Sequence, residues 1–285
     1  MIEAATGSGT LYIVATPIGN LDDMSARAVA ILRSADVIAA EDTRVSAVLM
    51  RHHGIDTPMI ALHEHNEERR APSLVERLLG GDSVALVSDA GTPLVNDPGY
   101  RLVRLARNAG VAVSPIPGPC ALVAALACCG LPAAKFTFEG FLPSSRAARR
   151  AALAALAAER RTMVFYEAPH RVREAVADMA RTFGEERPAA IARELSKRFE
   201  TVVDATLGVL AAWLDAGEYN RRGEFVIVVQ GLRGAEGEAL RPEWVEAVRE
   251  LGRVMPPKQA ARIIAGATGA RSQALYRAAR GEGSE

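Results

Sequence analysis

The sequence predicts an α/β protein: two α/β domains, the first with a mostly parallel sheet and the second with a mixed one, plus a small C-terminal helical unit. Three observations predict it. Short β-branched runs alternate with helical stretches, the rhythm of a sheet covered by helices. The alternation restarts after a Pro- and Gly-dense bend at Ser114–Pro119, where prolines and glycines enforce a rigid turn. A length of 285 residues is about two domains' worth.

Taken in order, Leu11–Ala15 reads as a strand and Met24–Arg33 as a helix with Ala28, Ile31 and Leu32 on one face. Val37–Ala40 is a strand, Thr43–His52 a helix and Met59–Leu62 a strand. Asn66–Leu79 is a polar helix, Ser83–Val87 a strand, Gly99–Asn108 a helix and Val111–Pro115 a strand. Ala121–Cys129 is an apolar helix stopped by Gly130 and Pro132, the usual Gly-then-Pro ending. Phe136–Phe138 reads as a strand leading into a polar loop, GFLPSSRAARR. Then come the helix Ala147–Ala158, the strand Arg161–Phe165, the helix Arg171–Phe183, and strands at Ala189–Ala192, Phe199–Ala205 and Phe225–Gln230. The closeness of the strands at 189 and 199 predicts antiparallel pairing there. Gly231–Arg241 is a linker. Pro242–Arg253, Pro257–Ala265 and Ser272–Arg280 form a helical trio of helix-turn-helix type. The expected domains are 1–120, 121–232 and 240–285.

Composition excludes several classes. Hydrophobic residues are 49% and charged residues 24%, ordinary for a globular chain and unlike a disordered one. No apolar run approaches the roughly 18–20 residues of a membrane span. The opening residues, MIEAATGSGT, carry no secretory pattern, and three cysteines make no disulfide framework, so a cytoplasmic location is expected. Lys+Arg and Asp+Glu are both 34, which leaves no whole-chain field for a polyanion. Locally, Arg253, Lys258, Arg262, Arg271, Arg277 and Arg280 stand among Leu251–Gly281 with no acid. That run reads either as a solvated helical face or as a docking surface for nucleic acid.

Several catalytic motifs are missing: a phosphate-binding GxxxxGK[ST], HExxH, paired CxxC and GxSxG. The early Gly7 and Gly9 precede the first strand, whereas a dinucleotide fingerprint follows it. The histidines have no metal-site spacing, so no metal is expected. What remains is a set of tight turns at the carboxyl ends of first-domain strands: ATPIGNLDD (15–23), EDTR (41–44), SDAGTPLVNDPG (88–99) and PIPGP (115–119). Ligands of open α/β sheets bind at that edge. Each loop alone reads as turn chemistry or helix capping. Four on one edge suggest a pocket walled by rigid backbone. Glu41, Asp42 and Arg44 are either a salt-bridged loop or a group that handles protons and orients substrate. FYEAPHR (165–171) and ARELSKRFE (192–200) repeat the theme in the second domain, where Arg193 and Glu194 read equally well as a structural ion pair. Lys197 reads as a phosphate contact, a base or plain surface; with Glu167 and Asp42, also at predicted strand ends, it is a catalytic candidate.

LYIVATPIGNLDD, AAEDTR, VSDAGTPLVNDPG, PIPGPCALVAALACCGLP, FTFEGFLP, FYEAPHR, ARELSKRFE and RRGEFVIVV, in this order, resemble the tetrapyrrole-methylase superfamily, and within it the branch that modifies small-subunit ribosomal RNA. The C-terminal trio is similar to that branch's small terminal domain. The resemblance implies two α/β domains of the tetrapyrrole-methylase type, a homodimer, and S-adenosyl-L-methionine as cofactor in the cleft between the domains. It further implies 2′-O-methylation of a cytidine in the decoding centre of 16S ribosomal RNA, within the small ribosomal subunit. The family's cofactor loops fall on Thr16 and Pro17, on Ser88, Asp89, Ala90, Gly91 and Thr92, and on Pro117 to Ala121. The second domain brings Phe165, Tyr166, Arg193, Gly223 and Glu224 to the cleft. RNA contact is expected at Arg44, at Arg146, Arg149 and Arg150, and at the six C-terminal cations. Ser196 stands where the resemblance leads one to expect Thr, and Ser145 and Arg146 where it leads one to expect Lys. The other readings are a corrinoid or other small-molecule methylase of the same fold, and a non-catalytic ribosome-binding factor.

Overall fold

A computed structural model describes residues 8–232, 241–268, 270 and 272–281. The first sheet contains β1 (Thr10–Val14), β2 (Val37–Ala40), β3 (Met59–Ala61), β4 (Val84–Val87) and β5 (Ala112–Ile116). Their order is β3-β2-β4-β1-β5, and every pairing is parallel. β2 and β4 are buried along their whole length, as central strands of a doubly covered sheet must be. Alternation splits their side chains between two cores. Val37, Ala39, Val84 and Leu86 face α3 (Glu67–Leu79) and α4 (Tyr100–Asn108). Ile38, Ala40, Ala85 and Val87 face α1 (Ala26–Ser34) and α2 (Thr43–His52). Because β1 sits between β4 and β5, the loops after β1 and β4 emerge side by side at one sheet edge.

The second sheet contains β6 (Phe136–Phe141), β7 (Thr162–Glu167), β8 (Pro188–Arg193), β9 (Thr201–Thr206) and β10 (Phe225–Val229), in the order β6-β7-β10-β8-β9. It is mixed, with β6 and β7 parallel and the other pairs antiparallel, including β8 and β9 as expected. One face packs on α6 (Arg146–Ala155), α7 (Val172–Phe183) and α8 (Leu207–Asp215). The other packs on α5 (Ala121–Cys128).

Two elements differ from the sequence expectation. α8 was assigned to no element: its alanines blur the polar contrast that marks a helical period, yet Leu207, Leu210 and Leu214 form a buried stripe. β6 runs on to Phe141 through a register shift between Phe138 and Gly140, so part of the expected polar loop is strand.

By contacts the chain forms two compact units, one of residues up to 156 with Thr162–Val229, the other of Ala157–Arg161 with the chain from Gln230 onward. In the second, α9 (Pro242–Leu251), α10 (Pro257–Thr268) and α11 (Ser272–Ala279) enclose a small core of Val248, Ala260, Ala261 and Leu275.

Candidate methyl-transfer cleft

The loops at the edge of the first sheet are stitched together by their own backbone. Thr16 and Gly91 exchange N–H···O bonds of 2.8 and 3.0 Å. The buried Thr16 hydroxyl donates to the Ser88 carbonyl at 3.2 Å. The Thr92 hydroxyl donates to the Pro119 carbonyl at 3.0 Å, tying in the turn that carries Pro117. The Asp89 carboxylate accepts from the Asp42 N–H at 2.9 Å.

The second sheet closes the other side. The Arg193–Lys197 turn meets the turn before β10: Glu194 Oε1 accepts from the Glu224 N–H at 2.9 Å, and the Glu194 N–H donates to the Glu224 carbonyl at 3.0 Å. Lys197 Nζ bridges Glu194 Oε1 (3.0 Å) and Glu224 Oε2 (2.9 Å). The Ser196 hydroxyl donates to the Asp23 carboxylate, joining this turn to the loop after β1. Gly19 allows that approach, since a Cβ there would lie 2.3 Å from Lys197 Cγ.

Four non-glycine residues among those described have left-handed backbone: Leu94 (φ 73°), Asn96 (φ 70°), Glu194 (φ 52°) and Ser196 (φ 64°). All lie in two cleft loops. Such conformations cost of order 1–3 kcal/mol each and persist where the surroundings over-determine them, commonly at functional sites.

Between the two sheets is a cavity of about 480 Å³, within the size range of small-molecule sites. Of the residues singled out from the sequence, Glu41, Asp89, Ala90, Gly91, Thr92, Ala121, Tyr166, Glu167 and Glu224 line it. Ile18, Asn96, Asp97, Cys120, Phe141, Leu195 and Val226 also line it, and sequence reasoning had not singled them out individually. Phe138 and Phe141 meet the Tyr166 ring edge-on at 4.9 and 5.8 Å, and the Tyr166 hydroxyl accepts from the Leu122 N–H at 3.1 Å.

Charge is the decisive property of this cavity. Glu41, Asp89, Asp97 and Glu224 line it, and its described lining contains no Lys or Arg. The end of β7 at Glu167 also lines it, but the Glu167 side chain is fully buried on the Phe165 side of the strand, paired with Arg171 Nε at 3.3 Å. Burial pushes the Glu41, Asp97 and Glu167 carboxyls above the usual range, and neighbouring carboxylates push Glu41 and Asp97 further. Glu167 is 2% exposed; Oε1 accepts from the Ala168 N–H at 2.9 Å, while Oε2 is buried without a hydrogen-bond partner. A site so built favours a cation and disfavours a phosphate.

Other expected residues stand elsewhere. Phe165 points into the core of the second sheet, because its neighbour Tyr166 takes the cavity face and side chains alternate. Arg193 is buried and not on the cavity: it donates to the Arg222 carbonyl (3.0 Å) and the Phe199 carbonyl (3.3 Å) and stacks on Tyr219 at 4.4 Å. It clamps the loops that carry Lys197 and Gly223. Thr16, Pro17, Asp42 and Arg44 line a neighbouring hollow that shares Asp89 with the cavity. There Asp42 holds Arg44 through two bonds of 3.0 and 2.6 Å, which drop the Asp42 carboxyl to about 2. Arg149, expected to face RNA, is buried against Asp178 at 2.8 Å, since it lies on the core side of α6. Arg146 and Arg150 are exposed. Lys258, Arg262 and Arg277 are exposed on α10 and α11, and Arg253 and Arg280 are exposed just past the ends of α9 and α11, with Arg280 donating to the Tyr276 hydroxyl at 2.8 Å. Arg271 lies outside the described residues.

Two open sheets with a cavity between them frame the site, and comparison with known families says which family the frame belongs to. A family described as Tetrapyrrole (Corrin/Porphyrin) Methylases matches residues 10–211, and one described as the RsmI C-terminal HTH domain matches residues 238–280. The chain belongs to the tetrapyrrole methylase family. The protein named Ribosomal RNA small subunit methyltransferase I in Pseudomonas aeruginosa is 50% identical over 273 residues, 95% of this chain and 97% of that one. Its namesake in Xylella fastidiosa is 52% identical over 268 residues, 94% and 98% of the two chains. The solved cobalt precorrin-4 methyltransferase, a cobalamin biosynthetic enzyme, has a TM-score of 0.58 at 19% identity, covering 78% of this chain and 94% of its own. That likeness is one of fold.

Methylases of this family take their methyl group from S-adenosylmethionine, and the cavity fits that donor. The molecule carries a sulfonium, an ammonium beside a carboxylate for one net positive charge, and a flat adenine whose faces stack on apolar wall. The carboxylates suit the two cations, and Ile18, Phe141, Leu195 and Val226 supply apolar wall.

Proposed function

We propose that the protein methylates the ribose 2′-hydroxyl of a cytidine in the decoding centre of 16S ribosomal RNA, with S-adenosylmethionine as donor. The observation that carries this reading is the near-complete alignment, at about half identity, with proteins named for small-subunit ribosomal RNA methylation. A cytoplasmic site of action follows from that substrate, and a homodimer is the form the family resemblance implies. Asp89, Gly91, Ala121 and Tyr166 would hold the donor, with Glu41 and Asp97 against its charge. When bound, the donor supplies an electrophilic methyl group on a sulfonium.

The chain's own residues divide the remaining work. Positioning dominates, because in-line displacement needs nucleophile, carbon and leaving group collinear. Thr16, Ser88, Gly91 and Thr92 form a rigid backbone wall for this purpose. Burial lowers the affinity of Lys197 for its proton, but Glu224 and Glu194 outweigh it and the net shift is upward. Lys197 therefore acts as a fixed positive charge and not as a base. Asp42, held ionised by Arg44, anchors its loop and is a weak base. Glu167, the third strand-end candidate, is raised by burial and paired with Arg171 at 3.3 Å, so it positions the turn after β7 that lines the cavity. Arg44, Arg253, Lys258, Arg262, Arg271, Arg277 and Arg280 would meet phosphates.

The test is tritium transfer from labelled S-adenosylmethionine to purified small ribosomal subunits, followed by mapping of ribose methylation. Label in one 2′-O-methylated cytidine is expected. Donor binding without label in the subunit would instead indicate a small-molecule methylase. A protein that binds no donor would be a ribosome-binding factor.

A further inference from the structure

We propose that α6 and α7 carry a phosphate-binding ridge, in which buried Asp178 and Arg149 hold Arg146, Arg150 and Arg181 in place for an RNA backbone. It rests on the ribosomal RNA reading and adds a contact surface that no comparison assigns.

Asp178 and Arg149 are both almost fully buried, rare for charged residues. Arg149 Nε and Nη2 donate to Asp178 Oδ2 at 2.9 and 2.8 Å. A buried ion pair of this kind is weak evidence for stability, since apolar residues of similar volume commonly do as well. Its geometry serves another end, because the second carboxylate oxygen remains for the surface. Around Oδ1 stand Arg150 Nε at 2.9 Å, Arg181 Nη1 at 3.4 Å and Arg146 Nε at 3.9 Å. The side chains of Arg146 and Arg181 are 61% and 60% exposed.

One carboxylate oxygen cannot neutralise three guanidiniums. Glu174 pairs with Arg149 at 3.2 Å and Asp215 with Arg173, so five guanidiniums face three carboxylates and a surplus of two positive charges stays at the surface. Burial pushes the Asp178 carboxyl up, but the arginine hydrogen bonds outweigh it and the group stays ionised. Between α6, α7 and α8 the cluster forms a basin of about 390 Å³. The arginine forks are pre-positioned, so fewer rotamers are lost when phosphate oxygens fill their outward N–H groups. A ribosomal RNA backbone offers a row of such oxygens.

The experiment measures binding of purified small ribosomal subunits by the full chain across a salt series. Variants are the double substitution Arg146→Gln with Arg181→Gln, and Glu174→Gln. The double variant is expected to bind about tenfold or more weakly at moderate salt, with a log–log salt slope shallower by about one per lost contact. Glu174→Gln removes a competing carboxylate and is expected to tighten binding, a gain that a purely structural network would not produce. Retained affinity for S-adenosylmethionine checks the fold of each variant. A double variant with wild-type affinity and slope overturns the ridge alone, provided the wild type binds and methylates the subunit. A wild type with no salt-dependent subunit binding overturns the RNA reading and the ridge with it.

Discussion

Glu167 is the residue at which charge, burial and positioning meet. Its carboxyl titrates above the ordinary range because burial penalises the ion. Glu41 and Asp97 share that cause. A carboxyl whose folded value is raised contributes stability that is present below its unfolded value and lost as pH rises through the folded one. Ionisation of these groups as pH rises therefore costs stability, and a cation bound beside Glu41 and Asp97 offsets part of that cost. Affinity for S-adenosylmethionine is thus expected to rise with pH through the raised carboxylate range, read by calorimetry at a series of pH values. Glu167→Gln, which takes the carboxylate away from Arg171, is expected to lower turnover about tenfold by loosening the turn after β7 that lines the cavity. A variant with full turnover would remove Glu167 from the positioning of that turn.

The elements owe their precision at the cleft to turns more than to strands. Gly223 has φ 94°, and a Cβ there would sit 2.4 Å from Glu194 Cγ. Glu194 is half of the bridge that holds Lys197. Gly223→Ala is expected to cost about 1–3 kcal/mol, from left-handed strain and overpacking together, and to loosen Lys197. The urea midpoint measures the first effect and turnover the second; an unchanged midpoint would show that the turn relaxes freely. The strands were legible because alternation and β-branched runs are local signals: the β2 residues 37–40 were read correctly from four apolar residues. α8 was not legible, because a short helix apolar on most faces shows no period until its packing partners are known.

At the scale of the whole molecule the chain has two compact units with cores of very different size. The C-terminal core has four fully buried side chains, two of them alanine, which limits its apolar stabilisation. The two tryptophans divide between the units: Trp213 on α8 and Trp244 on α9. Trp213→Phe leaves Trp244 as reporter and is expected to show an earlier urea transition with a shallower slope than Trp244→Phe, because slope scales with surface exposed. Coincident transitions would mean that the units unfold as one. Separate stability would let the catalytic sheets stay rigid whatever happens in the basic helices.

The sequence by itself determined the alternation of elements, the antiparallel return at β8 and β9, the loops at the strand ends, and the family, through eight motifs in a fixed order. Each is a property of neighbours along the chain: period, turn chemistry and spacing. Only the tertiary structure decided which side of an element a residue serves. Phe165 and Tyr166 share one motif, yet the pleat sends one to the core and the other to the cavity. Arg146, Arg149 and Arg150 lie in one run, yet the rotation of α6 buries the middle one on Asp178. The cavity's acidity was out of reach for the same reason. Glu41, Asp97 and Glu224 stand far apart in sequence, and packing of the two sheets brings them to one cavity, whose carboxylates favour a cation.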